Sequence, residues 1–154
     1  MHSPDPTRSA PDLPPYPASE ARELIAQARS LRIVAASPAG LLAAGGLLRD
    51  KNLGLLCDRV DSVDAALFRR AATALGARIA HIHPALSTAS PPSQVQAMGR
   101  LLGRLYDAVE CQGLDPALVA SLRETAGVPV YDGIATPGHP SACLGDQLAA
   151  GIDT

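Results

Sequence analysis

The chain reads as an α/β domain, a single open parallel sheet of about four strands with flanking helices. Two observations predict it. Short apolar runs bounded by turn residues alternate with amphipathic stretches of helical length, the pattern that strand–helix–strand crossovers leave in a sequence. The chain has 154 residues, 47% of them hydrophobic and 18% charged, which suits one globular domain with a real core. Right-handed crossovers then make the strands parallel.

Each element follows from a local signal. Residues 1–17 hold six prolines among small and polar residues, so an extended or disordered tail is expected, with the domain itself over residues 18–154. Ser19 is the expected N-cap of a helix over residues 20–31, where Leu24, Ile25, Ala28 and Leu31 recur at helical spacing. Residues 37–51 are apolar but broken by glycines, and suit either a short helix or an ordered connection. Residues 52–57 (NLGLLC) form a continuous apolar run, as a strand buried on both faces requires. A helix over 62–75, a strand over 78–82 and a helix over 93–104 follow. A third strand is read over 106–110. Asp115 caps a helix over 115–125 with Pro116 at its first position. A fourth strand covers 128–131, and a last helix starts at Pro140 and runs to residue 150.

Composition narrows the function classes. The net charge of −2 gives no basic field for nucleic acid or for an anionic membrane. Aromatic residues make up 3% and tryptophan is absent, which leaves little to stack on bases. Cys57, Cys111 and Cys143 are odd in number and lack metal-site spacing, so free thiols in a reducing cytoplasm are expected. No stretch has the ~20 apolar residues of a membrane span. The opening residues carry no basic-then-apolar leader pattern. No cofactor is implied.

In an open parallel sheet, ligands sit beyond the carboxyl ends of strands. The residues there are therefore the candidates. After the first strand come Asp58, Arg59, Val60, Asp61, Ser62, Val63 and Asp64. Asp61 suits the helix cap with Asp64 in a capping-box-like place, so the helix start is met by the protein's own carboxylates. After the second strand, His81 and His83 would point to one face, but two imidazoles alone do not make a metal site. Gln112 and Gly113 follow the third strand, beside Cys111, which has no neighbouring base to activate it. His139 and Pro140 follow the fourth. Ser141, His139 and Asp146 lie too close along one helix start to take the separate roles of a catalytic triad.

Residues 104–146 (RLYDAVECQGLDPALVASLRETAGVPVYDGIATPGHPSACLGD) resemble part of the carbamoyl-phosphate domain of the ornithine/aspartate carbamoyltransferase family. The strongest matches are the runs at 103–108 and 127–133, and His139-Pro140 followed by Leu144 and Asp146. The similarity extends over residues 51–150. It implies a fold in which Ser-Thr-Arg-Thr-Arg cradles a phosphate; here that run falls on Asp61, Ser62, Val63, Asp64 and Ala65, so both arginines are lost. Gln112 stands where the family has an arginine, Pro92 where a mobile arm carries a lysine, and Ala142 where a glutamine is expected. His139 is kept. The resemblance also implies a trimer, and a second, amino-acid-binding domain beyond Thr154.

These substitutions lead to the expectation of a non-catalytic carbamoyltransferase-like domain, a pseudoenzyme serving as an oligomeric assembly or regulatory module. It would self-associate as a trimer or join a full carbamoyltransferase. One alternative is a small-molecule binder whose pocket, lined by Asp61, Ser62, Asp64, Gln112 and His139, favours a neutral or cationic guest. The other is a divergent carbamoyltransferase half completed by a second chain.

Overall fold

The computed structural model describes residues 17–142 and 144–145. Residues 1–16 of the Pro-rich tail, Cys143, Asp146 and most of the last expected helix lie outside the described residues. Five helices and four strands follow in the order α1 (Ala18–Ala35), α2 (Pro38–Ala44), β1 (Asn52–Cys57), α3 (Val63–Ala74), β2 (Arg78–Ile82), α4 (Pro92–Leu105), β3 (Ala108–Gln112), α5 (Pro116–Ala126) and β4 (Val130–Asp132). All pairings are parallel, and the strand order is β2-β1-β3-β4. The chain moves outward from β1 to β2, then crosses back past β1 to β3. The order therefore reverses between β1 and β3, and this gap is the topological switch point.

That reversal places the helices on opposite faces. Leu55 and Cys57 of β1 cluster with Ala65 of α3, joined by Phe68 and Ile79. Their neighbour Leu56 points the other way, into a larger cluster with Val109, Cys111 and Val130 from the sheet and Leu102, Leu118, Val119 and Leu122 from α4 and α5. The α4–α5 contact is close because glycines permit it. A Cβ on Gly103 would stand 1.7 Å from the Ala126 carbonyl oxygen, and one on Gly99 would stand 1.9 Å from the Thr125 hydroxyl. Each fully buried leucine here contributes on the order of 2 kcal/mol by leaving water.

Several boundaries differ from the sequence reading, each for a local reason. Helix α1 starts one turn-residue before Ser19: Pro17 occupies the N-cap position and no side chain caps the helix. It then runs on to Ala35, because nothing breaks it before Ser37-Pro38. The ambiguous stretch after it contains α2, whose cap is the Ser37 hydroxyl accepting from the Gly40 amide at 3.0 Å. Gly40 lies directly on α1, where a Cβ would overlap the Val34 carbonyl. Helix α4 begins at Pro92 and carries on to Leu105, with Tyr106 as its C-cap in extended conformation. That displaces β3 by two residues. Asp107 then pins the sheet's entry, its carboxylate accepting from the Asn52 amide at 2.8 Å. Helix α5 matches its signal, with the Asp115 carboxylate accepting from Ala117 at 2.8 Å and Gly127 closing it in left-handed conformation.

Candidate functional site

The carboxyl end of the sheet divides into two parts. On the α4–α5 face, a crevice of about 300 Å³ opens at the switch point. Asp58 after β1, Pro84 and Thr88 after β2, and Gly113, Asp115 and Leu118 after β3 line it. Its charged walls are carboxylates. Asp58 is held loosely by His83 at 3.7 Å, while Asp115 is engaged as the α5 cap. A second depression of about 270 Å³ between α4 and α5 is lined by Ser87, Ser90, Gln96, Ser121 and Thr125.

On the α3 face lie the residues that the sequence singled out. The α3 cap is Ser62, its hydroxyl accepting from the Ala65 amide at 3.1 Å. This corrects the reading of Asp61 as the cap. Asp61 instead lies in solvent, 3.6 Å from Arg59. Asp64 occupies the first turn, where its charge complements the helix dipole. Val63, at the very first position, is 82% exposed.

Gln112 turns inward. Its amide nitrogen donates to Glu110 at 3.3 Å, and both side chains are buried on the face shared with Leu55 and Cys57. Burial pushes the Glu110 carboxyl up to about 7. The amides of Ile134, the Gln112 side chain and the amide of Ala135 pull it back, and Asp132 adds to the rise. Glu110 Oε2, Gln112 Oε1 and Arg69 Nε are buried without a hydrogen-bond partner. Arg69 is close enough to draw down the Cys57 thiol, whose burial raises it by more. Cys111 faces the opposite cluster and is pushed up to about 12, chiefly by burial and then by Glu110 and Asp132. Such a thiol does not ionise at neutral pH.

His139 stands in the loop after β4. Its Nδ1 accepts from the Ser141 amide at 3.1 Å and lies 2.8 Å from the Ser141 hydroxyl, which also reaches the Ile134 carbonyl at 3.2 Å. Desolvation lowers its pKa against the pull of Asp132. These contacts lock a turn. The His81 ring meets the Cys57 carbonyl through Nε2 at 2.8 Å, tying the end of β1 to β2. His83 lies beyond β2 and pairs with Asp58, so the two imidazoles serve different partners. Among the described residues no group of three or more His, Cys, Asp or Glu side chains is arranged to hold a metal.

The structure thus gathers Ser62, Asp61 and Asp64 at one helix start, buries Gln112 beside Glu110, and places His139 in its own turn. The sequence reading missed the Glu110 carboxylate as a buried group and the crevice at the switch point. A charged residue inside the apolar run AVECQ was the available signal for the first.

No model of a known protein family matches the chain. Individual relatives do. Ornithine carbamoyltransferase of Actinobacillus pleuropneumoniae is 35% identical over 101 residues, covering 66% of this chain and 30% of that protein. The Cutibacterium acnes enzyme of the same name is 33% identical over 102 residues, with the same coverage. The chain therefore spans about 30% of the length of the curated relatives it matches. Among solved structures, the anabolic ornithine carbamoyltransferase of Campylobacter jejuni superposes with a TM-score of 0.68 at 22% identity, covering 87% of this chain and 41% of that one. The mitochondrial enzyme of Coccidioides immitis gives 0.71 at 16% identity, covering 93% and 44%. Sheet order and superposition define an open parallel α/β domain with the fold of part of a carbamoyltransferase. The sequence relatives make the likeness more specific: over about two thirds of its length the chain is similar to part of ornithine carbamoyltransferases.

Proposed function

We propose that this chain is a carbamoyltransferase-like domain without transferase chemistry of its own, acting as an oligomeric assembly or regulatory module. The observation that carries the reading is the state of the α3 helix start. Its cap is filled by Ser62, its flanks hold Asp61 and Asp64, and the nearest strand end offers Gln112 folded back onto Glu110. A doubly negative guest would meet carboxylates where a phosphate site needs cations. Two unit charges 4 Å apart repel by ~1 kcal/mol in water and by several times more near a protein surface. His139 is engaged with Ser141 in a turn, and the pull of Asp132 on its ring is outweighed by desolvation.

Thermal denaturation with carbamoyl phosphate and with inorganic phosphate tests the reading. A ligand present at a hundred times its dissociation constant adds ~2.7 kcal/mol, a rise of several degrees in a domain this size. No rise is expected from either anion at millimolar concentration. A saturable rise with carbamoyl phosphate would overturn the proposal.

The crevice at the switch point supports a second reading, a small-molecule binder. Its lining of Asp58 and Asp115, with no lysine or arginine among the described residues that line it, suits a neutral or cationic guest. Amines that raise the melting temperature where phosphate does not would favour it, and Asp58→Asn would then remove the effect.

A further inference from the structure

Among the described residues, two of the buried side-chain atoms that lack a hydrogen-bond partner belong to one interacting pair. Glu110 is 1% exposed and Gln112 is 7% exposed, and as alternate residues of β3 they leave the same face of the sheet. The Gln112 amide nitrogen donates to Glu110 Oε1 at 3.3 Å. Glu110 Oε2 and Gln112 Oε1 are the atoms left over. Both are acceptors while Glu110 is ionised, so neither can satisfy the other. A protonated carboxyl has one O–H to donate. Given from Oε2 to Gln112 Oε1, that single proton closes a two-bond acid–amide pair and satisfies both atoms.

Other donors for an ionised Glu110 lie in the turn that leaves β4. The amides of Ile134 and Ala135 are near enough to draw its carboxyl down, against the larger effect of burial. Gly133 starts this turn with a left-handed φ of 69°, its amide donating to the Cys111 carbonyl at 2.7 Å. The Ala135 N–H and the Ile134 carbonyl are opposite ends of one planar peptide group. That carbonyl accepts from the Ser141 hydroxyl at 3.2 Å, and the same hydroxyl lies 2.8 Å from His139 Nδ1. Nδ1 accepts from the Ser141 amide at 3.1 Å, so it is the ring nitrogen without a proton. The Ser141 hydroxyl therefore has one proton and two acceptors to choose between.

The titratable and charged groups about Glu110 come from three strands and a helix. Cys57 on β1 and Cys111 on β3 are both raised by burial and stay uncharged at neutral pH. Asp132 on β4 opposes ionisation of Glu110 and acts on His139 as well. Arg69 of α3 acts on Cys57. Burial outweighs the donors around Glu110 and places its titration at about 7, where both of its states are populated.

We propose that Glu110 is a proton-operated switch on the turn after β4. Protonated, it closes on Gln112 and leaves the Ser141 hydroxyl on the Ile134 carbonyl. Ionised, it draws the 134–135 peptide inward, and the hydroxyl turns to His139 Nδ1. The hydrogen bonding of the His139 ring then follows the proton on a carboxyl that it does not touch.

Nuclear magnetic resonance of the full chain between pH 5 and pH 9 tests this. The Glu110 carboxyl carbon should titrate near 7. The Ile134 and Ala135 amide protons should move downfield as pH rises, with that same midpoint, because bonds to a carboxylate are shorter. The His139 ring nitrogens should show this step besides their own titration at lower pH. In Ser141→Ala the amide step should stay and the His139 step should be lost. Glu110→Gln should lose both, and His139→Gln should keep the amide step. A Glu110 carboxyl that does not titrate in this range overturns the switch, as do amides that stay still while it titrates. So does an amide step that survives in Glu110→Gln or disappears in His139→Gln. A His139 step that persists in Ser141→Ala overturns the relay through the hydroxyl. Should Glu110→Gln fail to fold, the wild-type and Ser141→Ala titrations still decide.

Discussion

On one side of the sheet, Val109 and Cys111 of β3 face α4 and α5 in a cluster of buried apolar side chains; on the other, Glu110 and Gln112 of the same strand are buried beside Leu55 and Cys57. The first side is closed by glycines that let two helices touch, and all its side chains there are apolar. The second buries a carboxylate and an amide that satisfy one another once and leave Glu110 Oε2 and Gln112 Oε1 unpartnered. One strand therefore carries both the anchor of the fold and its costliest buried groups. Stability should be concentrated on the first face and pH sensitivity on the second.

The largest expected effect comes from breaking the apolar face. Leu122 is fully buried between the sheet and α4. Leu122→Ala should cost about 2–5 kcal/mol, because the cavity it leaves is hemmed by the close α4–α5 contact and cannot collapse freely. Urea denaturation at neutral pH measures this. A loss below about 1 kcal/mol would mean that the two helices slide together to fill the space.

Glu110→Gln sharpens the contrast on the other face, and the sign follows from the direction of the shift. The carboxyl is raised from 4.5 to about 7 in the folded chain, so the native state holds its proton where the unfolded chain has released it. Stability from this group is complete below the unfolded value and is lost as pH rises through about 7. Its size is at most ~3.5 kcal/mol. In Glu110→Gln that loss should vanish, leaving the variant more stable than the wild type at pH 8 and similar to it at pH 5. A second amide can also donate to the unpartnered Gln112 Oε1. Chemical denaturation at the two pH values decides the matter; parallel pH profiles in both proteins would show that Glu110 is solvated and ordinary.

The same contrast marks what was legible in the sequence. Strands β1 and β2 match the sequence reading to the residue, NLGLLC as a continuous apolar run and RIAHI as a short segment that stops before His83-Pro84. β3 was misplaced by two residues because Tyr106 has strand propensity, yet it ends α4 and lays its ring against Gly54. The helix start near Asp61 was readable as a start but not in register, since Asp61 and Ser62 are equally good caps and only the turn geometry chooses. The switch-point crevice was beyond sequence reading, because Asp58, Thr88 and Asp115 come from three loops that strand order alone brings together.

The smallest expected effect tests whether the polar face still contains a latent anion site. Ser62→Ala removes the hydroxyl that accepts from the Ala65 amide, which should cost about 1 kcal/mol. It also frees a first-turn amide of the kind that binds phosphate in other helix starts. If Ser62 alone kept anions out, phosphate would now raise the variant's melting temperature and recover part of the lost stability. The expected result is no recovery, because Asp64 remains in the first turn and Asp61 beside it. Adding Asp61→Asn and Asp64→Asn to Ser62→Ala separates the remaining causes. Phosphate stabilisation that emerges only in this triple variant assigns the exclusion to the two carboxylates rather than to the cap. Its absence even there means that helix-start amides without a facing arginine hold no phosphate, so that the want of a cation rather than the two carboxylates excludes the anion.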